Sequence, residues 1–242
     1  MSDRQKSKLG AELAAIVRYE DPFLLVIDKP AGLVVHPGAG NPEGTLAQLL
    51  AGVAAGGEEE SRAGIVHRLD RDTSGLLVVA RQEEAYRSLQ QALKQRRLER
   101  EYLALIAGHP PARTGTIDAP IGRDPRDRTR MSVRLASGRP ARTHFSVIEL
   151  LAETALLAVR LESGRTHQVR VHMQAIGHPL VGDRRYGGPQ LSGLQRQFLH
   201  ARRLAFTHPV DGRRIEIESD LPEDLSRALA QARQPTARIR GH

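Results

Sequence analysis

Two carboxylates stand two residues apart in the run His67-Arg68-Leu69-Asp70-Arg71-Asp72-Thr73-Ser74-Gly75, with arginines at positions 68 and 71. A carboxylate beside a guanidinium stays ionised at neutral pH and can act as a nucleophile or stabilise a developing cation. The apolar run Leu76-Leu77-Val78-Val79-Ala80 follows, so a buried strand fixes the loop and Gly75 permits a tight turn into it. Spacing alone favours a purely structural role. Asp72 can form an Asx-type turn with Thr73 and Ser74, and Asp70 can simply pair with an arginine.

A second segment, Glu162-Ser163-Gly164-Arg165-Thr166-His167-Gln168-Val169-Arg170-Val171-His172, takes a strand end into a helix start, where backbone N–H groups favour anions. His167 and His172 are five residues apart, which does not put two ligands for one metal on one helical face. The competing reading is a capped helix with a solvated basic face. A third segment, Arg100-Glu101-Tyr102-Leu103-Ala104-Leu105, alternates so that Tyr102 shares a strand face with Ala104. A tyrosine there, taken singly, suits a core with a satisfied hydroxyl better than a catalyst. The Gly-rich run HPGAGNPEG lacks the Walker spacing and its lysine. No GxGxxG follows a strand, and neither a GxSxG elbow nor an HExxH occurs.

The elements that must hold these segments follow from the apolar patterning. Strands are expected at Phe23–Ile27, Val34–Val35, Leu76–Ala80, 102–108, 143–150, 155–162, 202–208 and 213–218. Helices are expected over 46–53 with Thr45 as cap, over 83–97, over 166–176, and from Pro222 with Ser219 or Asp220 as cap. Strands outnumber helices and are often consecutive, which predicts an α+β fold on a mixed, largely antiparallel central sheet with flanking helices. Residues 1–16 read as a loose basic lead-in, 17–233 as one catalytic domain and 234–242 as a mobile basic tail.

Composition narrows the partners. The net charge is +8, and of 36 basic residues only Lys6, Lys8, Lys29 and Lys94 are lysines. Arginine grips phosphate in a bidentate way and stacks on bases, which suits nucleic acid. Genomic base composition explains the arginine-to-lysine ratio equally well but not the net positive charge. The chain has no cysteine, which removes disulfides, thiolate metal sites and thiol nucleophiles together. No 18-residue apolar run or signal-like start occurs, so the expectation is a cytoplasmic protein without a membrane partner.

Taken together, the segments resemble the RluA-type pseudouridine synthases, and within them most closely the RluD branch that modifies large-subunit ribosomal RNA. HRLDRDTSG resembles the family's signature loop and DKPAGLVVHPGAGN its first motif. REYLAL resembles its tyrosine motif, and SGRTHQVRVHM with HPLVGDRRYG its C-terminal motif. They occur in the family's order, from about residue 17 to residue 220. The resemblance implies a synthase catalytic domain with a central RNA-binding cleft, here without the small RNA-binding module that branch carries ahead of it.

The implied reaction breaks the C1′–N1 bond of uridine, turns the base and rejoins it through C5. It needs no cofactor, no metal and no nucleotide. The resemblance makes Asp70 the catalytic carboxylate, Arg165 its basic partner and Tyr102 the side chain against the base. It makes Arg68 the residue filling the space of a flipped nucleotide, with Arg71 and Arg170 expected on phosphates. The expected partner is ribosomal RNA, with transfer RNA as the second choice, and the expected state is a monomer. Two rivals stand beside this reading: a non-catalytic RNA-binding or ribosome-assembly protein, and a nucleoside or glycoside hydrolase. The hydrolase needs a general acid, and Asp72 is kept ionised by neighbouring arginines.

Overall fold

Continuous apolar runs, too apolar to leave either side in water, become the strands at the centre of the fold. The computed structural model describes residues 3–38, 42–57 and 64–234. The chain divides into two units, Met1–Glu99 with Arg203–Ser219, and Arg100–Arg202 with Asp220–His242.

In the first unit, β1 (Val17–Glu20), β2 (Leu24–Lys29) and β3 (Ser74–Ala80) form an antiparallel set in that order. The register runs from Leu24 opposite Ala80 to Lys29 opposite Gly75. Every residue of β3 is buried. On one face Leu24, Val26, Leu76, Val78 and Ala80 meet Ala85 and Leu89 of a helix, α3 (Glu83–Lys94), together with Leu204 and Phe206. The last two lie on β10 (Leu199–Thr207), which pairs antiparallel with β11 (Arg214–Glu218).

Helix α3 starts with Glu83 and Glu84 and ends with Lys94, as the helix dipole prefers. It stops three residues short of the expected 97, because Arg96 adopts φ 60° and Arg97 N–H returns to the Ala92 carbonyl at 2.8 Å. Thr45 caps α2 (Leu46–Leu49) as expected, in a reciprocal box with Gln48. No strand forms at Val34–Val35, because their carbonyls accept from Leu46 N–H and Ala47 N–H and so close the start of α2 instead. Residues read as a loose lead-in are helical over Asp3–Ile16 (α1), where Ala11-Glu12-Leu13-Ala14-Ala15 are strong helix formers and Leu13 is buried.

The second unit carries an antiparallel set in the order β4 (Glu99–Ala107), β9 (Thr154–Leu161), β8 (Arg142–Leu150), β5 (Thr114–Asp118). A short hairpin, β6 (Ile121–Arg123) with β7 (Met131–Val133), stands apart from that set. Helix α5 (Glu223–Ala232) buries Leu225, Ala228, Leu229 and Ala232, spaced for one helical face, against Leu105, Leu156, Val181 and Phe198. Its cap is Pro222 and not Ser219 or Asp220. The proline carbonyl accepts the first helical N–H groups, and the Ser219 hydroxyl donates to Asp28 at 2.7 Å.

Each register above is antiparallel, so the α+β expectation holds. Among the described residues no helix is long and apolar enough to cross a membrane. Of the basic tail expected at 234–242, residues 235–242 lie outside the described residues.

Candidate active site

The loop His67–Gly75 hangs between a buried residue on each side and a lysine beneath. Leu69 is buried, so the extended chain turns Arg68 outward and leaves Asp70 half-exposed. Thr73 N–H closes a turn onto the Asp70 carbonyl at 3.1 Å. Gly75, expected as a turn residue ahead of the strand, is instead the second residue of β3, at φ 112°, a backbone conformation that favours glycine. The His67 ring sits under the strand, with Nε2 accepting from Val78 N–H at 3.3 Å. Arg71 and Asp72 are largely exposed, their side chains 3.9 Å apart, too loose to lock either one. The structure therefore leaves Arg68 and Arg71 at the surface with their guanidiniums accessible.

The strongest constraint on this loop was not anticipated. Lys29, at the last position of β2, is wholly buried, and its ammonium donates to the carbonyls of Pro30 at 2.8 Å, Leu33 at 2.9 Å and Arg71 at 2.9 Å. Gly32 N–H reaches the same Arg71 carbonyl at 2.9 Å. Two loops distant in sequence are thus tied one residue from Asp70. The signal was in the sequence: one of four lysines among 32 arginines, closing a buried strand before a proline. A compact ammonium can meet three converging carbonyls, whereas a planar guanidinium of that reach cannot. Lys29→Met should cost roughly 2–4 kcal/mol by leaving buried carbonyls unsatisfied. Chemical denaturation would measure it, and an unchanged midpoint would show that the ammonium is dispensable.

In the second unit Tyr102 is buried on β4, opposite Val159 of β9. Arg165 follows β9 in the turn Ser163–His167. Its backbone N–H is held by Gln168 Oε1 at 3.0 Å, and its Nε donates to the Pro140 carbonyl at 3.1 Å. Among the described residues of this unit its two terminal nitrogens have no partner. Partial burial and the nearby Arg139 charge both lower its pKa. Gln168, a residue to which no role was attached, is the clamp. Buried at the start of α4 (Gln168–Ala175), it also takes the Ser163 hydroxyl and donates to Arg142 O and Thr143 Oγ1.

The helix begins at Gln168, two residues later than the expected 166. Its N-cap is His167, at φ 56° in the left-handed region with no capping side chain. That conformation is uncommon for a residue bearing a Cβ. The His167 ring is held by the Tyr186 hydroxyl at 2.8 Å, which also accepts from Met131 N–H at 3.1 Å. His172 is buried between Thr143 and the Ala119 carbonyl, and burial lowers its pKa, so its ring is a neutral strut.

Arg170 corrects an expectation. Read as a phosphate contact, it is instead 7% exposed and paired with Asp183, Nε at 2.6 Å and Nη2 at 2.9 Å. Its guanidinium also lies 4.9 Å from the Tyr186 ring centroid. Burial with a bidentate carboxylate makes it part of the frame.

The candidate residues are therefore distributed as Asp70, Arg68 and Arg71 in the first unit and Tyr102, Arg165 and Arg170 in the second. A family model of RNA pseudouridylate synthases matches residues 23–175, a span that includes both the carboxylate loop and the tyrosine strand. An uncharacterized RNA pseudouridine synthase of Chloroflexus aurantiacus is 54% identical over 210 residues, 84% of this chain and 65% of that protein. The chain thus spans just under two thirds of that relative's length. Ribosomal large subunit pseudouridine synthase D of Nitrosomonas europaea is 51% identical over 239 residues, 96% of this chain and 69% of that one. Among solved structures, human RNA pseudouridylate synthase domain containing 1 superposes with a TM-score of 0.67 at 30% identity, covering 86% of this chain and 83% of its own. With a family model matched over more than half of the chain and relatives matched along most of the sequence, the chain belongs to the RNA pseudouridylate synthase family.

Proposed function

We propose that the protein isomerises uridine to pseudouridine in large-subunit ribosomal RNA, in the cytoplasm and without a cofactor. The carrying observation is the half-exposed Asp70 on a loop fixed from below by Lys29 and Leu69, within the span matched to the family. The reaction breaks N1–C1′ and makes C5–C1′. The proton lost from C5 is balanced by one gained at N1, so nothing is oxidised or consumed. As uracilate leaves, the sugar acquires cationic character that an ionised Asp70 stabilises.

Arg165, with its terminal nitrogens unengaged in its own unit, is the partner that would keep that carboxylate charged and oriented. Tyr102 would lie against the base. A stacked uridine cannot reach a carboxylate, so the nucleotide flips out, and the exposed Arg68 would occupy the gap while Arg71 meets phosphate. The ribosomal target rests on relatives named for the large ribosomal subunit at 43–51% identity.

Pseudouridine mapping in total RNA from cells lacking the gene tests the target. One or more large-subunit uridines should lose the modification, with restoration by the intact gene. Losses confined to transfer RNA would overturn the ribosomal assignment.

A further inference from the structure

Among the described residues, one buried charge is used by neither the frame nor the proposed chemistry. Arg100 opens the tyrosine strand and is 6% exposed, yet it has no carboxylate partner among the described residues. Its Nε is buried with no hydrogen-bond partner, and Nη2 reaches only the Ser163 carbonyl at 3.4 Å, long for an N–H···O bond. The guanidinium lies on Gly164, where a Cβ would stand 3.1 Å from Nη1. The two other arginines of this unit with comparable burial, Arg170 and Arg196, each hold a bidentate aspartate. Arg100 is the exception.

We propose that Arg100 is an RNA-binding residue whose missing anion is a phosphate of the bound RNA beside the target nucleotide. The inference rests on the reading of the protein as an RNA-modifying enzyme. A guanidinium withdrawn from water without a counter-charge is unfavourable in the free protein and becomes favourable when an anion arrives. The anion has to be a permanent one, because the cation stands uncompensated before any reaction begins. A phosphodiester supplies that charge and matches the fork of donors left open at Nε and Nη. Strand alternation puts Arg100 on the Tyr102 face, two residues along β4, and Gly164 joins it to the turn that carries Arg165.

Arg100→Met and Arg100→Lys distinguish this from a supporting role. Arg100→Met should raise the melting temperature of the RNA-free protein, since it removes an unpaired buried charge. The same variant should weaken binding to a ribosomal RNA stem-loop roughly tenfold or more. It should also reduce the slope of log affinity against log salt by about one phosphate contact, roughly 0.7–0.9. The catalytic loss should fall on KM, and Arg100→Lys should restore the salt slope. A lower melting temperature with an unchanged salt slope would make Arg100 a frame residue and overturn the assignment. A fall in kcat alone, with binding intact, would place it on the reacting base and overturn it equally. Binding is read without turnover, so a wild-type protein that binds RNA through Arg100 but forms no pseudouridine would overturn the proposed reaction and leave this assignment standing.

Discussion

Asp70→Asn should abolish pseudouridine formation, by roughly four orders of magnitude or more, while leaving RNA affinity within a few-fold of the wild type. The substitution removes the charge and keeps the shape. Leu69 stays in the core, the Thr73 N–H still closes on the residue-70 carbonyl, and Lys29 still grips the neighbouring carbonyl of Arg71. The loop should therefore keep its position, and the loss falls on chemistry alone. An amide can neither trap the sugar nor balance the positive charge that develops at C1′ as uracilate leaves. Single-turnover assays with saturating enzyme, beside an RNA-binding isotherm and a denaturation curve, separate the three quantities. Activity retained to within tenfold would remove Asp70 from its role.

Asp183→Ala should cost about 3–5 kcal/mol of folding stability, because it leaves Arg170 charged and unpaired inside the second unit. The Asp183 side chain is 1% exposed and that of Arg170 is 9% exposed, so water cannot replace the lost partner. The carboxylate also accepts from Tyr186 N–H at 3.3 Å, at the start of a short 3-10 turn (Arg184–Tyr186). Gly188 belongs to the same construction. A Cβ there would stand 1.8 Å from the Leu180 carbonyl, so the turn around Asp183 can close only over a glycine. Loosening it releases the Tyr186 hydroxyl that holds His167 two residues beyond Arg165, so activity should fall with stability. Denaturant unfolding measures the first effect. The double variant Arg170→Met/Asp183→Leu should recover much of the lost stability, since an apolar pair of similar volume needs no counter-charge. If Asp183→Ala left stability untouched and weakened RNA binding instead, Arg170 would be a phosphate contact after all.

What the sequence made legible is local or periodic. The buried runs of β2 and β3, the capping box of Thr45 and Gln48, and the acidic-to-basic polarity of α3 each depend on residues within a few positions, and the structure carries all of them. Four short strands, β1, β5, β6 and β7, went unread. Thr114–Asp118 and Ile121–Arg123 each contain a glycine, Met131–Val133 spans three residues, and all are held by partners elsewhere in the chain. No period can be seen in so few residues. Val34 and Val35 misled for a related reason, since β-branched residues favour strands but their carbonyls were already engaged by a helix start.

The same division runs through the site. Asp70, Tyr102 and Arg165 could be singled out only through the resemblance of their motif segments to a known family, since residue type and spacing alone left structural roles open for each. The struts that hold them, Lys29, Gln168, Tyr186 and Asp183, act across long separations, and only the folded chain pairs them. Arg170 shows the cost of reading charge without burial. A basic residue in a basic protein looks like a phosphate contact until its aspartate appears thirteen residues away.

Nucleoside analysis of RNA after incubation with the purified protein tests the central claim most directly. Unmodified large-subunit ribosomal RNA, digested and resolved, should contain pseudouridine in the wild-type reaction with no free uracil and no change in total pyrimidine nucleoside. Release of free uracil would mean that the bond is broken and never remade, and would make the protein a hydrolase. RNA bound but returned wholly unmodified would leave Asp70 without chemistry to perform.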